Sequence, residues 1–203
     1  LGVVLATNFG GVNSAEEVLG RDGPPAPHAL NRFTEYIFQR AADRVADAIG
    51  SRGPRAALSL SCASGGAAIG YGTDLIRAGR ADAVLAGRYD ALSVFCWSGL
   101  SCLRTMTKDR IRPFDKTRNG TIFGEGAAFL VLEERGAAAA RGAPVLAEVL
   151  GHGMNNNGFH MTAPDKEGAG LRLAMEMALA DAGVAPAEVD HVNAHATGTK
   201  YND

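Results

Sequence analysis

Residues 56 to 72 have the sequence Ala56-Ala-Leu-Ser-Leu-Ser-Cys-Ala-Ser-Gly-Gly-Ala-Ala-Ile-Gly-Tyr-Gly72. The apolar start, Ala56 to Leu60, predicts a buried strand, and the small residues after Cys62 lead into a helical pattern that runs to about Gly79. Cys62 is therefore predicted at a strand-to-helix turn, where the amides and dipole of a first helical turn favour a thiolate nucleophile. A buried structural cysteine is the alternative, because most free cysteines pack as small hydrophobic residues.

Strand and helix patterns alternate on both sides of this turn. Gly2 to Thr7 and Ala83 to Gly87 are predicted strands, and Thr34 to Ile49 is a predicted helix. Strand–helix–strand units imply a parallel sheet, so the chain is assigned to the α/β class. The apolar face of the helix over 34–49 is predicted to hold Ile37, Ala41, Val45, Ala48 and Ile49. Further predictions are strands at 127–132, 145–150 and 189–194, helices at 15–19, 93–106, 137–141 and 171–182, and loops at 20–27 and 155–164.

His195 follows the predicted strand at 189–194, just as Cys62 follows the strand at 56–60. Ligands of open α/β sheets bind beyond the carboxyl ends of the strands, so Cys62 and His195 are predicted to face one pocket. In a hydrolase the imidazole would take the thiol proton, and in a condensing enzyme it would donate to a thioester oxygen. The spacing leaves both chemistries open, and His160 is as consistent with a structural role as with a catalytic one.

Composition sets limits on the function. The 203 residues are 46% hydrophobic and 21% charged, as in ordinary globular proteins, and no apolar run reaches the length of a membrane span. A formal net charge of -2 gives no basic footprint for nucleic acid, although local basic residues leave a small acidic carrier open as a partner: Arg104, Lys108, Arg110 and Arg112.

The three cysteines, Cys62, Cys96 and Cys102, have spacings unlike a disulfide framework or a zinc site, which indicates a reducing compartment. No signal peptide is recognised, so a cytoplasmic location is expected. The chain starts without Met in a strand-like run and stops just past a motif, so we expect an internal piece of a longer protein.

Several separated motifs together resemble the β-ketoacyl-acyl carrier protein synthases of the thiolase-like superfamily. They occur in the family's order and are Ser61-Cys-Ala-Ser-Gly65, Arg112-Pro-Phe-Asp-Lys-Thr-Arg-Asn-Gly120, Gly124-Glu-Gly-Ala127, Leu130-Val-Leu-Glu-Glu134, His160-Met-Thr-Ala-Pro164 and Asn193-Ala-His-Ala-Thr-Gly-Thr199. The resemblance implies a thiolase-like layered α/β fold. Residues 1–135 would be the later part of the N-terminal repeat, and residues 136–203 the beginning of the C-terminal repeat.

The resemblance also implies a decarboxylative Claisen condensation. Cys62 would accept an acyl group from a carrier thioester, with its own backbone amide as an oxyanion donor. His195 would help to decarboxylate a malonyl thioester, and the resulting carbanion would attack the acyl-cysteine. Thr197 and Thr199 would hydrogen-bond the phosphopantetheine arm of the acyl carrier protein. No further cofactor is implied, because that arm carries the substrate.

Phe9 and Leu100 are the candidate residues for substrate length. In the enzymes that the chain resembles, the turn matching Thr7 to Gly11 lies near the far part of an apolar acyl tunnel. Phe9 would shorten that tunnel, whereas Leu100 stands in place of a bulkier aromatic residue and would reopen space. The alternative is that Phe9 is a core residue pointing away from the tunnel.

The resemblance implies three partners: the acyl carrier protein, a second subunit in a homodimer or ketosynthase-like heterodimer, and the rest of the C-terminal repeat, with a second histidine and a lysine.

The sequence departs from the family pattern at Gly87-Arg-Tyr-Asp90, Thr121 and Ala196-Thr-Gly-Thr-Lys200, and these changes bear on substrate contacts more than on chemistry. A non-condensing scaffold subunit is the alternative function, although such subunits have glutamine in place of Cys62. A thiolase is a third reading, disfavoured because thiolases lack the Asn-Ala-His-x-Thr pattern.

Overall fold

The structure, a computed structural model, describes residues 1–20, 31–160 and 163–203. Most of the predicted loop at 20–27, and residues 161–162 of the loop at 155–164, lie outside the described residues. The chain divides into two compact units, one formed by residues 1–98 and 124–148 and the other by residues 99–123 and 149–203. Among the described residues, no helix has both the length and the apolar character needed to cross a membrane.

The first unit alternates strands and helices, which confirms the α/β class. In chain order its elements are β1 (Gly2–Ala6), α1 (Val12–Leu19), a 3₁₀ helix (Asn31–Tyr36), α2 (Phe38–Ala48), β2 (Arg55–Leu58), α3 (Ser64–Arg77), β3 (Ala83–Asp90), the start of α4 (Val94–Ser101), β4 (Gly126–Glu133) and α5 (Arg135–Ala140).

The sheet of this unit has the strand order β2-β1-β3-β4. β2 and β3 both pair with β1 in parallel, as the strand–helix–strand pattern predicts, while β4 pairs with β3 in the antiparallel sense. β1 is buried along its whole length because helices cover both faces of the sheet. The carboxyl ends of β1, β2 and β3 therefore meet at one edge, where the turns that follow them lie close together.

Two clusters form the core, one on each face of the sheet. One joins strand residues Val4, Val84 and Ala86 to Ala68 and Leu75 of α3. The other joins Val3 and Leu5 of β1 to Ala42 and Ala46 of α2. The small residues of both helices let them pack closely on the sheet, which fixes the start of α3 relative to the strand ends.

The second unit is less regular. It holds the end of α4, α6 (Ala169–Ala182) and a 3₁₀ helix (Pro186–Glu188). Glycines with positive φ flank α6 at both ends, Gly168 at 66° and Gly183 at 65°, so the predicted stop at Gly183 is confirmed.

Several sequence predictions need correction. Residues 145–150 and 189–194 are described but form no strand, and Leu146 is 92% exposed. Their apolar runs resemble strands, yet a strand also needs a hydrogen-bonding neighbour. The helix predicted at 93–106 ends at Ser101, and Arg104 has a φ of 54° that no α-helix accepts.

The predicted buried face of α2 is confirmed only in part, since Ala41 and Val45 pack against the core cluster on that face of the sheet. Ala42 and Ala46 are buried, whereas Ile37 and Ile49 are exposed. Ile37 and Ile49 are the N-cap and C-cap residues, so they lie outside the helical turns and their side chains do not continue the apolar face of α2.

Candidate active site

Cys62 lies in the turn between β2 and α3, and it is exposed. α3 begins two residues later at Ser64, so the backbone leaves the sheet edge and enters the helix across Ser61, Cys62 and Ala63. Ser61 has a φ of 52°, in the left-handed region that a residue with a β-carbon adopts only when its surroundings hold it there.

Ser64 holds this turn from the helix side. Its hydroxyl accepts a hydrogen bond from Leu60 N (2.8 Å) and donates one to Ser61 O (2.6 Å). The Ser64 side chain is fully buried, and hydrogen bonds shielded from water are stronger than exposed ones. A serine at this place therefore supports the left-handed backbone just before Cys62.

Arg88 and Asp90, at the end of β3, hold the turn from the sheet side. Arg88 Nη1 donates to Cys62 O (3.1 Å), and Arg88 Nε and Nη2 bind Asp90 Oδ2 at 2.9 and 2.7 Å. Asp90 Oδ1 accepts from Thr7 Oγ1 and from Asn8 N, both at 2.8 Å. One ion pair thus ties together the ends of β1 and β3 and the Cys62 turn.

His195 lies in the second unit and is exposed. The next residues form a tight turn, since Ala196 has a φ of 49° and Gly198 of 74°. The hydroxyls of Thr197 and Thr199 are 3.0 Å apart and hydrogen-bond each other. The two threonines proposed to contact the carrier arm are therefore neighbours on one side of this turn.

Asp203 fixes the His195 turn, and sequence reasoning missed it. Its carboxylate accepts from Gly198 N (2.9 Å) and Phe114 N (3.1 Å), and its backbone oxygen accepts from Arg118 Nη2 (3.1 Å). Burial acts to raise the pKa of Asp203, but hydrogen bonds from Asn202 and from backbone amides outweigh it, so the pKa is lowered. The signal available in the sequence was an acidic residue shortly after the histidine motif.

The central motif at 112–120 packs onto the His195 turn within the second unit. Besides the Phe114 and Arg118 contacts, Gly120 N donates to Gly198 O at 3.0 Å. Gly120 has a φ of 138°, and a β-carbon there would lie 2.4 Å from Thr105 O, so only glycine fits. The structure therefore joins two motifs that are far apart in the sequence.

The remaining candidates are placed as follows. Phe9 is half-buried in the first unit, and Leu100 is half-buried near the end of α4 in the second. His160 is exposed, and its Nδ1 accepts a hydrogen bond from Ala163 N (3.2 Å), which fits a structural role.

Cys62 and His195 belong to different units, so their shared pocket stays a prediction. Among the described residues, no group of three or more His, Cys, Asp or Glu side chains is arranged to hold a metal ion.

The fold and these motifs are those of the thiolase-like ketosynthase family. The Beta-ketoacyl synthase N-terminal domain model matches residues 1–138, and the C-terminal domain model matches residues 146–203. The chain belongs to the beta-ketoacyl synthase family. The predicted division between residues 135 and 136 stays a prediction.

Known relatives agree with this assignment. The chain is 44% identical over 164 residues to nodulation protein E of Rhizobium sp. (strain N33), covering 80% of this chain and 40% of the relative. It is 35% identical over 215 residues to 3-oxoacyl-[acyl-carrier-protein] synthase 2 of Vibrio cholerae, covering 100% of this chain and 51% of the relative. The chain thus spans about half the length, or less, of these relatives.

A solved structure described as a type II PKS acyl-carrier protein in complex with its ketosynthase bound to the hexaketide has the same fold. It matches with a TM-score of 0.92 and 31% identity, over 100% of this chain and 53% of that chain.

Proposed function

We propose that the native polypeptide carrying this sequence is a β-ketoacyl-acyl carrier protein synthase, a condensing acyltransferase of fatty acid or polyketide synthesis. The observation that carries the proposal is the exposed Cys62 at the head of α3, in a turn held on both sides by hydrogen bonds. A nucleophile must be accessible and fixed in direction, and this turn provides both.

The first half-reaction moves an acyl group to Cys62. The Cys62 sulfur attacks the thioester carbonyl of an acyl carrier, the carbonyl oxygen gains negative charge, and the carrier thiol leaves with the proton. The backbone amide of Cys62 would stabilise the oxyanion, helped by the N-terminal end of α3.

The second half-reaction forms the carbon–carbon bond. His195 would donate a hydrogen bond to the thioester oxygen of a malonyl group, which stabilises the enolate that forms as carbon dioxide leaves. The enolate carbon then attacks the acyl-cysteine, and the Cys62 sulfur is expelled as thiolate. Thr197 and Thr199 would bind the phosphopantetheine arm, for which their adjacent hydroxyls are suited.

An acyl carrier protein is the proposed partner. Arg104, Lys108 and Arg110 are exposed in the second unit, and such positive charge attracts an acidic carrier and raises its association rate. The solved ketosynthase that this chain resembles was captured with its acyl-carrier protein, which supports the same kind of partner here. We further propose a dimeric protein that works in the cytoplasm.

Acyl loading tests the proposed function. The native polypeptide is incubated with acyl carriers and the acylated residue is located by mass spectrometry. We expect a thioester on the wild type and on Cys102→Ala, and none on Cys62→Ala. Cys102 is the matched control because it is also exposed. If no acyl carrier loads Cys62, the protein is the non-condensing scaffold subunit instead.

A further inference from the structure

Arg88 makes contacts that go beyond a simple ion pair. Its side chain is 30% exposed and that of Asp90 15%, so the pair is partly shielded from water. The stem of Arg88 passes over Gly65 in the first turn of α3, since a β-carbon at Gly65 would lie 3.6 Å from Arg88 Cβ. The guanidinium then reaches Cys62 O on one side and Asp90 on the other.

Asn8 adds a third contact. In the amide orientation that satisfies both of its polar atoms, Asn8 Nδ2 donates to Ser61 O (2.9 Å) and Asn8 Oδ1 accepts from Arg88 Nη2 (2.9 Å). Arg88 is thereby connected to the carbonyl groups on both sides of Cys62, directly to Cys62 O and through Asn8 to Ser61 O.

These bonds fix the direction of the Cα–Cβ bond of Cys62, from which the sulfur projects. The Cα–Cβ bond of a residue is oriented by the two peptide planes that flank it, because only φ and ψ are free. Ser64 and Asn8 hold the plane before Cys62 by its carbonyl oxygen. Arg88 holds the plane after Cys62 by its oxygen, and Ala63 N donates to Leu60 O (3.2 Å) from the same plane.

Asp90 keeps the guanidinium from moving. It binds two nitrogens of Arg88 with one carboxylate oxygen, while its other oxygen accepts from Thr7 Oγ1 and Asn8 N. A planar guanidinium can bridge several acceptors at fixed angles, whereas the single ammonium of lysine cannot. The arginine is therefore specifically suited to hold Cys62 O, Asp90 and Asn8 at once.

We propose that Arg88 is a positioning residue that aims the Cys62 sulfur at the acyl carbonyl. This inference rests on the proposed function, in which Cys62 is the acylated nucleophile. Arg88 acts through the backbone of Cys62 and does not itself contact the substrate. Loss of Arg88 should lower the rate of acylation without weakening carrier binding, because an error of about 1 Å in a nucleophile costs up to about a hundredfold in rate.

The test measures single-turnover acylation of Cys62 in the native polypeptide over a range of acyl carrier concentrations. Arg88→Met keeps the stem but loses the donors, Arg88→Lys keeps the charge, and Arg80→Met is the control, since Arg80 is exposed beyond the end of α3. We expect the rate at saturating carrier to fall about tenfold to a hundredfold in Arg88→Met and about threefold or more in Arg88→Lys. In both Arg88 variants, the carrier concentration that gives half the maximal rate should stay at the wild-type value. The control Arg80→Met should acylate Cys62 at the wild-type rate.

Each outcome separates the two proposals. If wild type forms no acyl thioester at Cys62, the proposed function fails. If Cys62 is acylated and Arg88→Met acylates at the wild-type rate, only the role of Arg88 is overturned. A fall confined to carrier affinity also overturns it. If thermal melting shows that Arg88→Met does not fold, Arg88→Lys decides alone, and a wild-type rate there overturns the role.

Discussion

Ser61 shows why the residues around Cys62 are tied so firmly. A non-glycine residue with positive φ costs on the order of 1–3 kcal/mol, and a neutral hydrogen bond contributes about 0.5–1.5 kcal/mol. The Ser61 carbonyl accepts from both the hydroxyl (2.6 Å) and the amide (3.2 Å) of Ser64. Two or three such bonds are enough to offset the strain, so the left-handed turn is stable without a glycine.

Phe9 offers a prediction about substrate length. Its amide donates to Asp90 Oδ1 and to Thr7 Oγ1, both at 3.3 Å, so the backbone of the turn is held independently of the phenyl ring. Phe9→Ala should therefore keep the turn and lengthen the acyl tunnel. Overfilling a packed site costs about 1–3 kcal/mol. The ratio of the loading rate of long acyl chains to that of short ones should therefore be at least about fivefold higher in Phe9→Ala than in the wild type.

The measurement is Cys62 acylation in the native polypeptide across a series of saturated acyl chain lengths. Phe129→Ala on β4 is the control, because Phe129 is an exposed aromatic residue of the same unit. An unchanged length profile in a folded Phe9→Ala protein would show that Phe9 is a core residue outside the substrate tunnel.

Helices and buried strands were the elements that the sequence predicted best. α3 and α6 carry small or apolar residues at helical spacing, and β1 and β3 are short apolar runs between turns. The antiparallel pairing of β4 with β3 could not be predicted from the sequence. It depends on which edge of the sheet the chain reaches after the long connection from Asp90 to Gly126, and on the direction in which it arrives. The strands expected at 145–150 and 189–194 do not form, because an apolar pattern alone does not supply a hydrogen-bonding neighbour.

The candidate site was predictable as far as its motifs. Cys62 and His195 were found by chemistry and position in the motif, and the structure adds what holds each of them. Arg88 was noticed only as a departure from a family pattern, because its contact with Cys62 O crosses 26 residues of sequence. Asp203 acts through hydrogen bonds to backbone amides, so its position shortly after the histidine motif was the signal available in the sequence.

α6 yields a pH-dependent prediction. Its N-cap is Gly168, which has no side chain, and Asp165 accepts instead from Ala169 N (2.8 Å) and Gly170 N (3.2 Å). These backbone hydrogen bonds, first that from Ala169, lower the pKa of Asp165 from its ordinary value of 3.8. A carboxyl group with a lowered pKa stabilises the folded state above its ordinary pKa, and this stabilisation is lost as the pH falls through the lowered value.

Asp165→Asn should accordingly lower the Tm at neutral pH, and the difference from wild type should shrink once the pH falls below the ordinary value of 3.8. Thermal melting of the native polypeptide over a pH series measures this difference. The exposed Asp190, in the same unit, supplies the control Asp190→Asn. A difference between Asp165→Asn and wild type that is constant with pH would show that the helix cap does not depend on the charge.

At the scale of the whole molecule, many large apolar side chains among the described residues of both units are in contact with solvent. Examples from the first unit are Val94 at 74% and Val131 at 61% exposed, and α6 in the second unit has no buried residue. Large apolar side chains exposed in such number indicate places where a protein meets another surface. β4 adds a second feature, because it is the last strand of the sheet and Leu130 and Val131 are exposed on it.

A polypeptide of these 203 residues alone is therefore expected to self-associate and, because it spans only about half the length of its relatives, or less, to catalyse no condensation. An apolar edge strand is a template for pairing with another chain, and a charged side chain on it opposes that pairing. Val131→Lys should reduce association more than Leu19→Lys, since Leu19 is 72% exposed at the end of α1 and away from the sheet edge. Sedimentation velocity over a range of concentrations measures association, and release of carbon dioxide from a malonyl carrier measures activity. A monomer that turns over would contradict the prediction, and equal effects of the two lysines would exclude β4 as the associating edge.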